Sequence, residues 1–163
     1  MVVTDQELRS QIARIYRAAG YDWLQGALAA ARDEQERRVY ESAVYLADVL
    51  ERVPVHVIPC IMGRIDPDQR GMAADLLGSI LPAAWSFMLA LRSRRLGSAW
   101  TTIHLARDDE VAELLGIPDD VTQATLLPVA YTIGTEFRPA PRRPIEEVTF
   151  WNGWQSVDSL GFR

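Results

Sequence analysis

The residue types that perform protein-borne catalysis are sparse in this chain, and the spacings that would organise them do not occur. The sequence contains no Gly-x-Ser-x-Gly, P-loop, Gly-x-Gly-x-x-Gly or His-Glu-x-x-His pattern. All 17 basic residues are Arg, which excludes a Schiff-base lysine and leaves Arg or backbone N–H groups to hold any anion. If the chain is an enzyme, a cofactor must carry out the difficult chemical step.

Cysteine and histidine offer little further chemistry. The single cysteine, Cys60, lies among Val, Ile and Pro, where a small buried hydrophobic residue is commoner than a nucleophile. One cysteine forms no internal disulfide, which fits a reducing cytoplasm. His56 lies between valines and is expected to be packed and hydrogen-bonded. No group of His, Cys and Asp has the spacing of metal ligands, so no metal site is predicted.

The charge balance argues against one class of partner. The chain has 163 residues, which suits one domain, and a formal net charge of −5. An acidic chain offers no basic surface to nucleic acid, so no nucleic-acid partner is predicted. Met1 leads directly into Val-Val-Thr-Asp without a leader pattern, and a cytoplasmic location is the expectation.

A long apolar stretch, residues 71–105, must position whatever site exists. No charged side chain occurs from Leu76 to Leu91, which predicts a helix that is buried on nearly all sides. Pro82 either begins this helix after a short turn or kinks it. The charge-free run is shorter than the roughly 20 residues that span a bilayer, so no membrane partner is predicted.

The end of this stretch is expected to change from helix to sheet. Arg92, Arg94 and Arg95 place cations at the negative end of the helix dipole. Gly97 follows as a plausible C-cap. Residues 98–105 are rich in Trp, Thr and Ile, which predicts a strand.

The remaining pattern alternates helices and strands. A short strand is predicted at the N-terminus, and then a helix that begins with a Thr4–Glu7 capping box and breaks at Gly20. Further strands are predicted at 53–62 and 124–133, and a short helix is expected to end at Gly116. A second amphipathic helix is marked by Val39, Ala43, Leu46 and Leu50.

The C-terminal segment has a different character. Residues 135–144 contain three prolines and cannot form regular helix or sheet, so 134–163 is predicted to be an extended arm. Exposed aromatic residues on such an arm need a partner surface, which the same subunit or a second copy could supply. The apolar run and the arm together favour a homodimer.

Several motifs in register, between about Val53 and Trp154, resemble the FMN-dependent nitroreductase family. In chain order the motifs are Ser79-Ile80-Leu81-Pro82-Ala83, Leu89-Ala90-Leu91-Arg92, Leu96-Gly97-Ser98-Ala99-Trp100-Thr101-Thr102, Glu113-Leu114-Leu115-Gly116-Ile117-Pro118, Leu126-Leu127-Pro128-Val129-Ala130-Tyr131, and Arg142-Arg143-Pro144-Ile145-Glu146-Glu147-Val148 with Trp151.

The resemblance implies an α+β, nitroreductase-like fold in one domain of residues 1–163, with a central apolar helix on a mixed or antiparallel sheet. It implies an FMN cofactor that takes a hydride from NAD(P)H and passes it to a nitroaromatic, a quinone or a similar small acceptor. It also implies a homodimer, with the central helix at the interface and the C-terminal arm around the other subunit.

The resemblance also implies cofactor-binding residues and no catalytic side chain. A donated hydrogen bond near flavin N5 and O4 stabilises the reduced flavin, and the positions that fall there are Thr101, Thr102, Ile103 and His104. Ordinary strand residues, with Thr favoured by β-propensity, explain these positions equally well. Arg142 and Arg143 fall where the family supplies a cation to the FMN phosphate, which Arg binds bidentately. Solvated charges on the arm are the alternative.

The chain departs from the family pattern at its start. Family members carry an Arg-Arg-Ser segment that grips the FMN phosphate and a later Gln-Pro-Trp stretch, and this sequence contains neither. The expectation is therefore a nitroreductase-like chain without that N-terminal portion. The alternative function is a non-catalytic member of the fold that acts as a dimerising or small-molecule-binding module.

Overall fold

The structure is a computed structural model that describes residues 1–66, 68–134, 139 and 141–154. It divides the chain into two units, Met1–Ile133 and Gly134–Arg163. The division falls where the sequence predicts the start of the C-terminal arm. Each unit is described by itself below.

The first unit combines helices with short strands, which confirms the α+β fold class. Its helices are α1 (Gln6–Ala29), α2 (Glu34–Val49), α3 (Arg70–Ser93) and α4 (Asp108–Leu115), with 3₁₀ turns at Leu50–Arg52 and Ile103–Arg107. Its strands are β1 (Val2–Val3), β2 (Val55–Val57), β3 (Cys60–Met62), β4 (Leu96–Ser98), β5 (Val121–Gln123) and β6 (Leu127–Tyr131).

The strands form two antiparallel sheets. One sheet has the order β1-β2-β6-β4 and the other pairs β3 with β5. The single strand predicted at 53–62 is therefore wrong, because Ile58 and Pro59 separate β2 from β3 and the two strands join different sheets. Proline has no N–H for a ladder, so Pro59 suits such a break.

Two further strand predictions need correction. The segment 124–133 contributes only β6, while β5 ends before it at Gln123. The strand predicted at 98–105 is also wrong, because β4 ends at Ser98 and a 3₁₀ turn occupies Ile103–Arg107. In that turn the Leu105 N–H donates to the Thr102 carbonyl at 2.9 Å. β-propensity favours Thr and Ile in strands, and here this tertiary arrangement overrides that preference.

Side-chain caps and left-handed residues set the helix ends. Asp5 accepts from the Leu8 N–H at 2.9 Å, so Asp5 caps α1 and the predicted Thr4–Glu7 box is wrong. Gly116 ends α4 with φ +64°, as predicted. Gly97 is not the cap of α3, because it pairs within β4. The left-handed residue after α3 is Arg95, with φ +62°.

The main core lies where α1 and α2 pack beneath the sheet. Tyr16, Ile12 and Leu50 are almost completely buried. On α2 the inward face is carried by Ala47, while Val39, predicted to face inward, is 59% exposed. The buried cluster comprises Val3, Ile12, Ala13, Tyr16, Leu24, Ala47, Leu50, Ile58, Val111 and Leu126.

A buried arginine ties α1 to the segment before β2. Arg9 is 8% exposed, and its guanidinium donates to the carbonyls of Glu51 and Val53, both at 2.7 Å. Arg17 on the same helix pairs with the Glu51 carboxylate at 2.8 Å. A buried cation is tolerated when its donors are matched in this way. These bonds hold α1 in a defined position against the sheet.

Helix α3 is continuous through Pro82, so the alternative of a helix that starts there is wrong. The expected burial of residues 76–91 is also wrong for the isolated chain, because Ala84 and Leu91 are the buried residues of α3. In the described residues α3 is the one helix long and apolar enough to cross a membrane, by length and composition only. Its large exposed apolar side chains are Met72, Trp85, Phe87 and Leu89.

The described part of the second unit has little regular structure. A 3₁₀ turn covers Ile145–Glu147, and the rings of Phe150 and Trp154 stack with centroids 4.8 Å apart. Pro139 and residues 141–144 lie in neither helix nor strand, as predicted. The other predicted arm residues, 135–138, 140 and 155–163, lie outside the described residues.

Gly20 permits a close approach of α1 to the 3₁₀ turn at residue 103. The backbone of α1 is non-helical at Gly20, in agreement with the predicted break. A Cβ atom built at Gly20 would lie 2.8 Å from Cγ2 of Ile103, closer than two carbon atoms can pack. Any larger side chain at residue 20 must therefore move the turn.

We expect Gly20→Ala to lower the free energy of unfolding by about 1 to 2 kcal/mol, because the added Cβ overpacks the contact with Ile103, and Ala gains no helix propensity at a non-helical residue. Urea denaturation measures the change. Ile103→Leu removes the Cβ-branched methyl and should restore stability in the double variant, whereas Ile103→Val keeps Cγ2 and should not. Equal behaviour of the two double variants would contradict the proposed contact.

Two histidines lie in the core. The His56 imidazole Nε2 is 2.9 Å from the Leu50 carbonyl oxygen, so the predicted packed and hydrogen-bonded state is confirmed. His104 is fully buried, and neither ring nitrogen has a hydrogen-bond partner among the described residues. Burial lowers the pKa of His104 to about 4, against a smaller opposing effect of the Asp108 carboxylate.

Since the pKa of an unfolded histidine is about 6.5, the unfolded chain gains a proton at a higher pH than folded His104 does. Stability from His104 is complete above pH 6.5 and falls between pH 6.5 and 4, by about 3 kcal/mol in all. His104→Leu should flatten this part of the pH–stability curve in denaturant melts. Burial also lowers the pKa of His56, so His56→Leu, the comparison variant, should flatten the curve as well, and it should in addition lower stability at every pH, since it removes the hydrogen bond to the Leu50 carbonyl. An unchanged slope in His104→Leu would contradict the assignment.

Candidate functional site

The segment predicted to carry the site begins at Thr101, whose backbone is fixed in the fold. The Thr101 N–H donates to the Leu126 carbonyl at 3.1 Å, and the Leu126 N–H donates back to the Thr101 carbonyl at 2.8 Å. The Thr125 hydroxyl donates to the same Thr101 carbonyl, also at 2.8 Å. Thr125 and Leu126 are completely buried, so Thr101 is anchored to the core at the entrance to β6.

The Thr101 side chain is held from a second direction by α1. The Tyr16 hydroxyl lies 2.8 Å from Thr101 Oγ1, and either atom could be the donor. Four residues further along α1, Gly20 faces Ile103. Residues four apart share one face of a helix. One face of α1 therefore contacts the segment at both Thr101 and Ile103.

Thr102 differs from its neighbours because its side chain faces outward. It is exposed, and within the described part of the chain its hydroxyl has no hydrogen-bond partner. Trp100, two residues earlier, is 38% exposed. The segment therefore carries an outward hydroxyl at Thr102 and a partly exposed indole at Trp100, and its backbone is fixed between them at Thr101.

The other two predicted flavin residues face the interior. Ile103 packs against α1 at Gly20. His104 is buried, and its low pKa keeps the ring neutral at physiological pH. The structure brings the four residues 101–104 together on one turn and exposes the Thr102 side chain most. Their contact with a flavin stays a prediction.

Arg142 and Arg143 belong to the second unit and are both exposed. The Arg142 guanidinium donates to the carbonyl of Pro141 at 3.3 Å. Their assignment to an FMN phosphate also stays a prediction. Arg suits that role chemically, because its planar fork can donate two hydrogen bonds to one phosphate group.

Helix α3 leads directly into the site segment through β4. Arg95 turns the chain after α3, and β4 then pairs with β6 next to Thr101. The resemblance places the stretch from Ser79 to Pro82 near the flavin, and within it Ser79 and Pro82 are exposed on α3. Polar and apolar groups of α3 are therefore open to a ligand or to a partner.

A separate cavity of about 450 Å³ lies beside α4. It contains none of the predicted flavin residues, and its lining includes Arg64, Asp109, Glu113 and Asp119. Arg64 already pairs with Asp108 at 3.2 Å. No group of three or more His, Cys, Asp or Glu in the described residues could hold a metal ion.

The donor set at residues 100–102 suits the polar edge of a flavin ring. N5 and O4 of the ring accept hydrogen bonds, and the outward hydroxyl of Thr102 can donate one. The exposed indole of Trp100 adds apolar surface of the kind on which planar ligands pack. The residues present therefore fit an isoalloxazine ring that approaches this segment.

Sequence reasoning missed Tyr16, which contacts Thr101 across 85 residues of chain. In the sequence Tyr16 is one more apolar residue of an amphipathic helix, and nothing local marks it. Only the packing of α1 on the 3₁₀ turn at 103–107 reveals the contact.

Comparison with known folds shows neighbours among flavoproteins. An iodotyrosine deiodinase crystallised with FMN and 3-iodo-L-tyrosine has a TM-score of 0.63 at 20% identity, over 88% of this chain and 71% of that one. A BluB-like flavoprotein from Clostridium difficile 630 has a TM-score of 0.62 at 16% identity, over 93% of this chain and 77% of that one. An FMN and NADPH-dependent nitroreductase from Sphigopyxis sp. strain HMH has a TM-score of 0.54 at 20% identity, over 94% and 79%.

Identities this low establish the fold alone, and confirm the nitroreductase-like fold. Membership rests on a different comparison. The sequence model of the nitroreductase family matches residues 1–134, which include all of the first unit and the site segment 101–104. The chain therefore belongs to the nitroreductase family.

Proposed function

We propose that this protein is an FMN-dependent NAD(P)H oxidoreductase that reduces a nitroaromatic, a quinone or a similar small acceptor. Family membership supports a flavin oxidoreductase. Among structural neighbours, one is an FMN and NADPH-dependent nitroreductase and another an NADPH:FMN oxidoreductase from Vibrio harveyi complexed with NAD⁺. The use of NADH or NADPH as the hydride donor, and the class of acceptor, are parts of this proposal.

One observation carries the proposal: an outward hydroxyl that has no hydrogen-bond partner in the described part of the chain, next to a residue whose backbone is fixed by hydrogen bonds. Thr102 presents this hydroxyl, Trp100 two residues earlier is partly exposed, and the backbone of Thr101 between them is fixed by Leu126. A rigid segment loses little conformational entropy when it binds a ligand, which favours a preorganised donor. The geometry suits recognition of a ring edge better than catalysis by a side chain.

When bound, FMN supplies the chemistry by accepting a hydride from NAD(P)H and passing it to the acceptor. The protein's own residues bind and orient the cofactor. Thr101 and Thr102 would donate to the N5 and O4 edge, and Arg142 and Arg143 would neutralise the phosphate. His104, neutral and buried, would hold the turn in place from below.

The same proposal includes a homodimer in which a second copy covers α3. The side chains of Trp85, Phe87 and Leu89 are 59, 37 and 57% exposed. Trp85 and Leu89, four residues apart, share one face of α3, and large exposed apolar side chains grouped in this way mark an interaction site. Because α3 leads into β4 beside Thr101, a partner on α3 would also close one side of the flavin site.

The activity is tested by titrating FMN into the purified protein and following flavin fluorescence. Anaerobic NADH or NADPH should then bleach the oxidised-flavin absorbance, and p-benzoquinone should restore it. A protein that binds FMN but cannot be reduced by either nucleotide would contradict the oxidoreductase assignment. A protein that binds no FMN would contradict the whole proposal and favour a non-catalytic member of the fold.

We expect Arg142→Ala to weaken FMN binding by roughly 10- to 100-fold, because a charge-assisted hydrogen bond contributes about 1.5 to 3 kcal/mol. Riboflavin binding should change far less, since riboflavin has no phosphate. Arg14→Ala is the matched control, because it removes one surface arginine from α1 and the same charge. Equal losses for FMN and riboflavin, or none for either, would contradict the phosphate contact.

For the dimer, we expect Trp85→Glu to convert a dimer into a monomer at micromolar concentration in sedimentation velocity. Burying a carboxylate against the partner's apolar surface would cost several kcal/mol. Trp23→Glu is the matched control, since Trp23 is similarly exposed, at 62%, on α1. A monomeric parent, or a parent that sediments with lipid vesicles, would contradict the proposal that a second copy covers α3.

A further inference from the structure

The contact between Tyr16 and Thr101 has no role in the function proposed so far. Tyr16 is 1% exposed, and its hydroxyl is 2.8 Å from Thr101 Oγ1. Its other surroundings are the apolar core cluster of Val3, Ile12, Ala13 and Leu126 with their neighbours. A tyrosine placed here for packing alone would not need the hydroxyl, since Phe fills nearly the same volume. The hydrogen bond is therefore the feature to explain.

The backbone of Thr101 leaves its hydroxyl as the only polar group free to turn. The N–H and the carbonyl are both committed to Leu126, and the carbonyl also accepts from Thr125. The hydroxyl has one hydrogen and two lone pairs. The direction in which the Thr101 hydroxyl hydrogen points depends on whether the Tyr16 hydroxyl donates or accepts the hydrogen bond between them.

Burial decides the direction of this hydrogen bond. If Thr101 donated, the Tyr16 hydrogen would be left in the core without a partner among the described residues, which is costly. If Tyr16 donates, its hydrogen is paired, and the Thr101 hydrogen is free to turn toward the half-exposed side of the residue. Burial also raises the pKa of the Tyr16 phenol, so the hydrogen is retained at any physiological pH.

We propose that Tyr16 is a positioning residue that holds the Thr101 hydroxyl as an outward donor to the N5 and O4 edge of bound FMN. This inference rests on the proposed function. A hydroxyl that accepts one hydrogen bond donates a stronger one, because hydrogen bonds in a chain polarise each other. In reduced FMN, N5 would carry a hydrogen and O4 would be the electron-rich acceptor of that edge, so a hydrogen bond donated to O4 would stabilise reduced FMN more than oxidised FMN.

The test is the midpoint potential of FMN bound to the full chain, measured by spectroelectrochemistry. Tyr16→Phe should weaken the binding of reduced FMN relative to that of oxidised FMN by about threefold to tenfold. A tenfold change corresponds to a fall of about 30 mV in the midpoint potential of a two-electron couple. Tyr21→Phe is the matched control on the same helix. It removes a hydroxyl that donates to the Asp48 carboxylate at 2.8 Å, and the potential should not change.

Two variants of Thr101 keep the inference falsifiable if Tyr16→Phe does not fold. Thr101→Val should lower the potential as Tyr16→Phe does, Thr101→Ser should preserve it, and Tyr16→Phe should add nothing in the Thr101→Val background. If Tyr16→Phe changed the midpoint potential no more than Tyr21→Phe does, the inference about Tyr16 would be overturned while the proposed function stood. The same would follow if Tyr16→Phe still changed the potential in the Thr101→Val background. A parent that binds no FMN would overturn the proposed function and this inference with it.

Discussion

The paired hydrogen bonds between Thr101 and Leu126 are the constraint on which the candidate site depends. They join the end of the segment after β4 to the start of β6, at 3.1 and 2.8 Å. Because Leu126 is completely buried, the segment cannot shift without disturbing the core. The chain then turns at once into the 3₁₀ helix at Ile103–Arg107. This geometry directs Thr102 outward and His104 inward.

Helix α1 acts on the same segment from the other side. Tyr16 and Gly20 lie one turn apart on α1 and meet Thr101 and Ile103. Arg9 and Arg17 tie the first half of α1 to the region of Glu51. The position of the site segment therefore depends on packing across the whole first unit. The apolar face of α3 is the contrasting feature, since it lies beside the site and stays exposed in the single chain.

The sequence predicted the α+β class, the family and the presence of most helices, because amphipathic periodicity and the motifs are local signals. It failed where tertiary contacts override local preference. Residues 98–105 have the composition of a strand, yet Thr101 makes only an isolated bridge to Leu126, and the bond from Leu105 to Thr102 and the packing on Gly20 favour a 3₁₀ turn from Ile103 onward. The strand at 53–62 was too long because pairing with two different partners splits it at Pro59.

The sequence predicted which residues belong to the site, but not how their side chains are oriented. The four residues 101–104 were named from motif likeness, but no local pattern shows that Thr102 faces out or that His104 is buried with no hydrogen-bond partner among the described residues. Tyr16 could not be found at all, since it lies 85 residues from Thr101 in the chain. Burial of α3 was expected because a helix that is apolar on nearly all sides needs a cover, and among the described residues Trp85, Phe87 and Leu89 of α3 stay exposed.

The central claim is that the outward side of residues 100–102 recognises the polar edge of a flavin. A crystal structure of the protein with FMN tests it most directly. The account predicts the ring beside Trp100, with N5 or O4 at hydrogen-bond distance, about 2.7 to 3.2 Å, from the hydroxyl of Thr101 or Thr102. An FMN molecule bound elsewhere, or one whose N5 edge faces away from both threonines, would contradict the account.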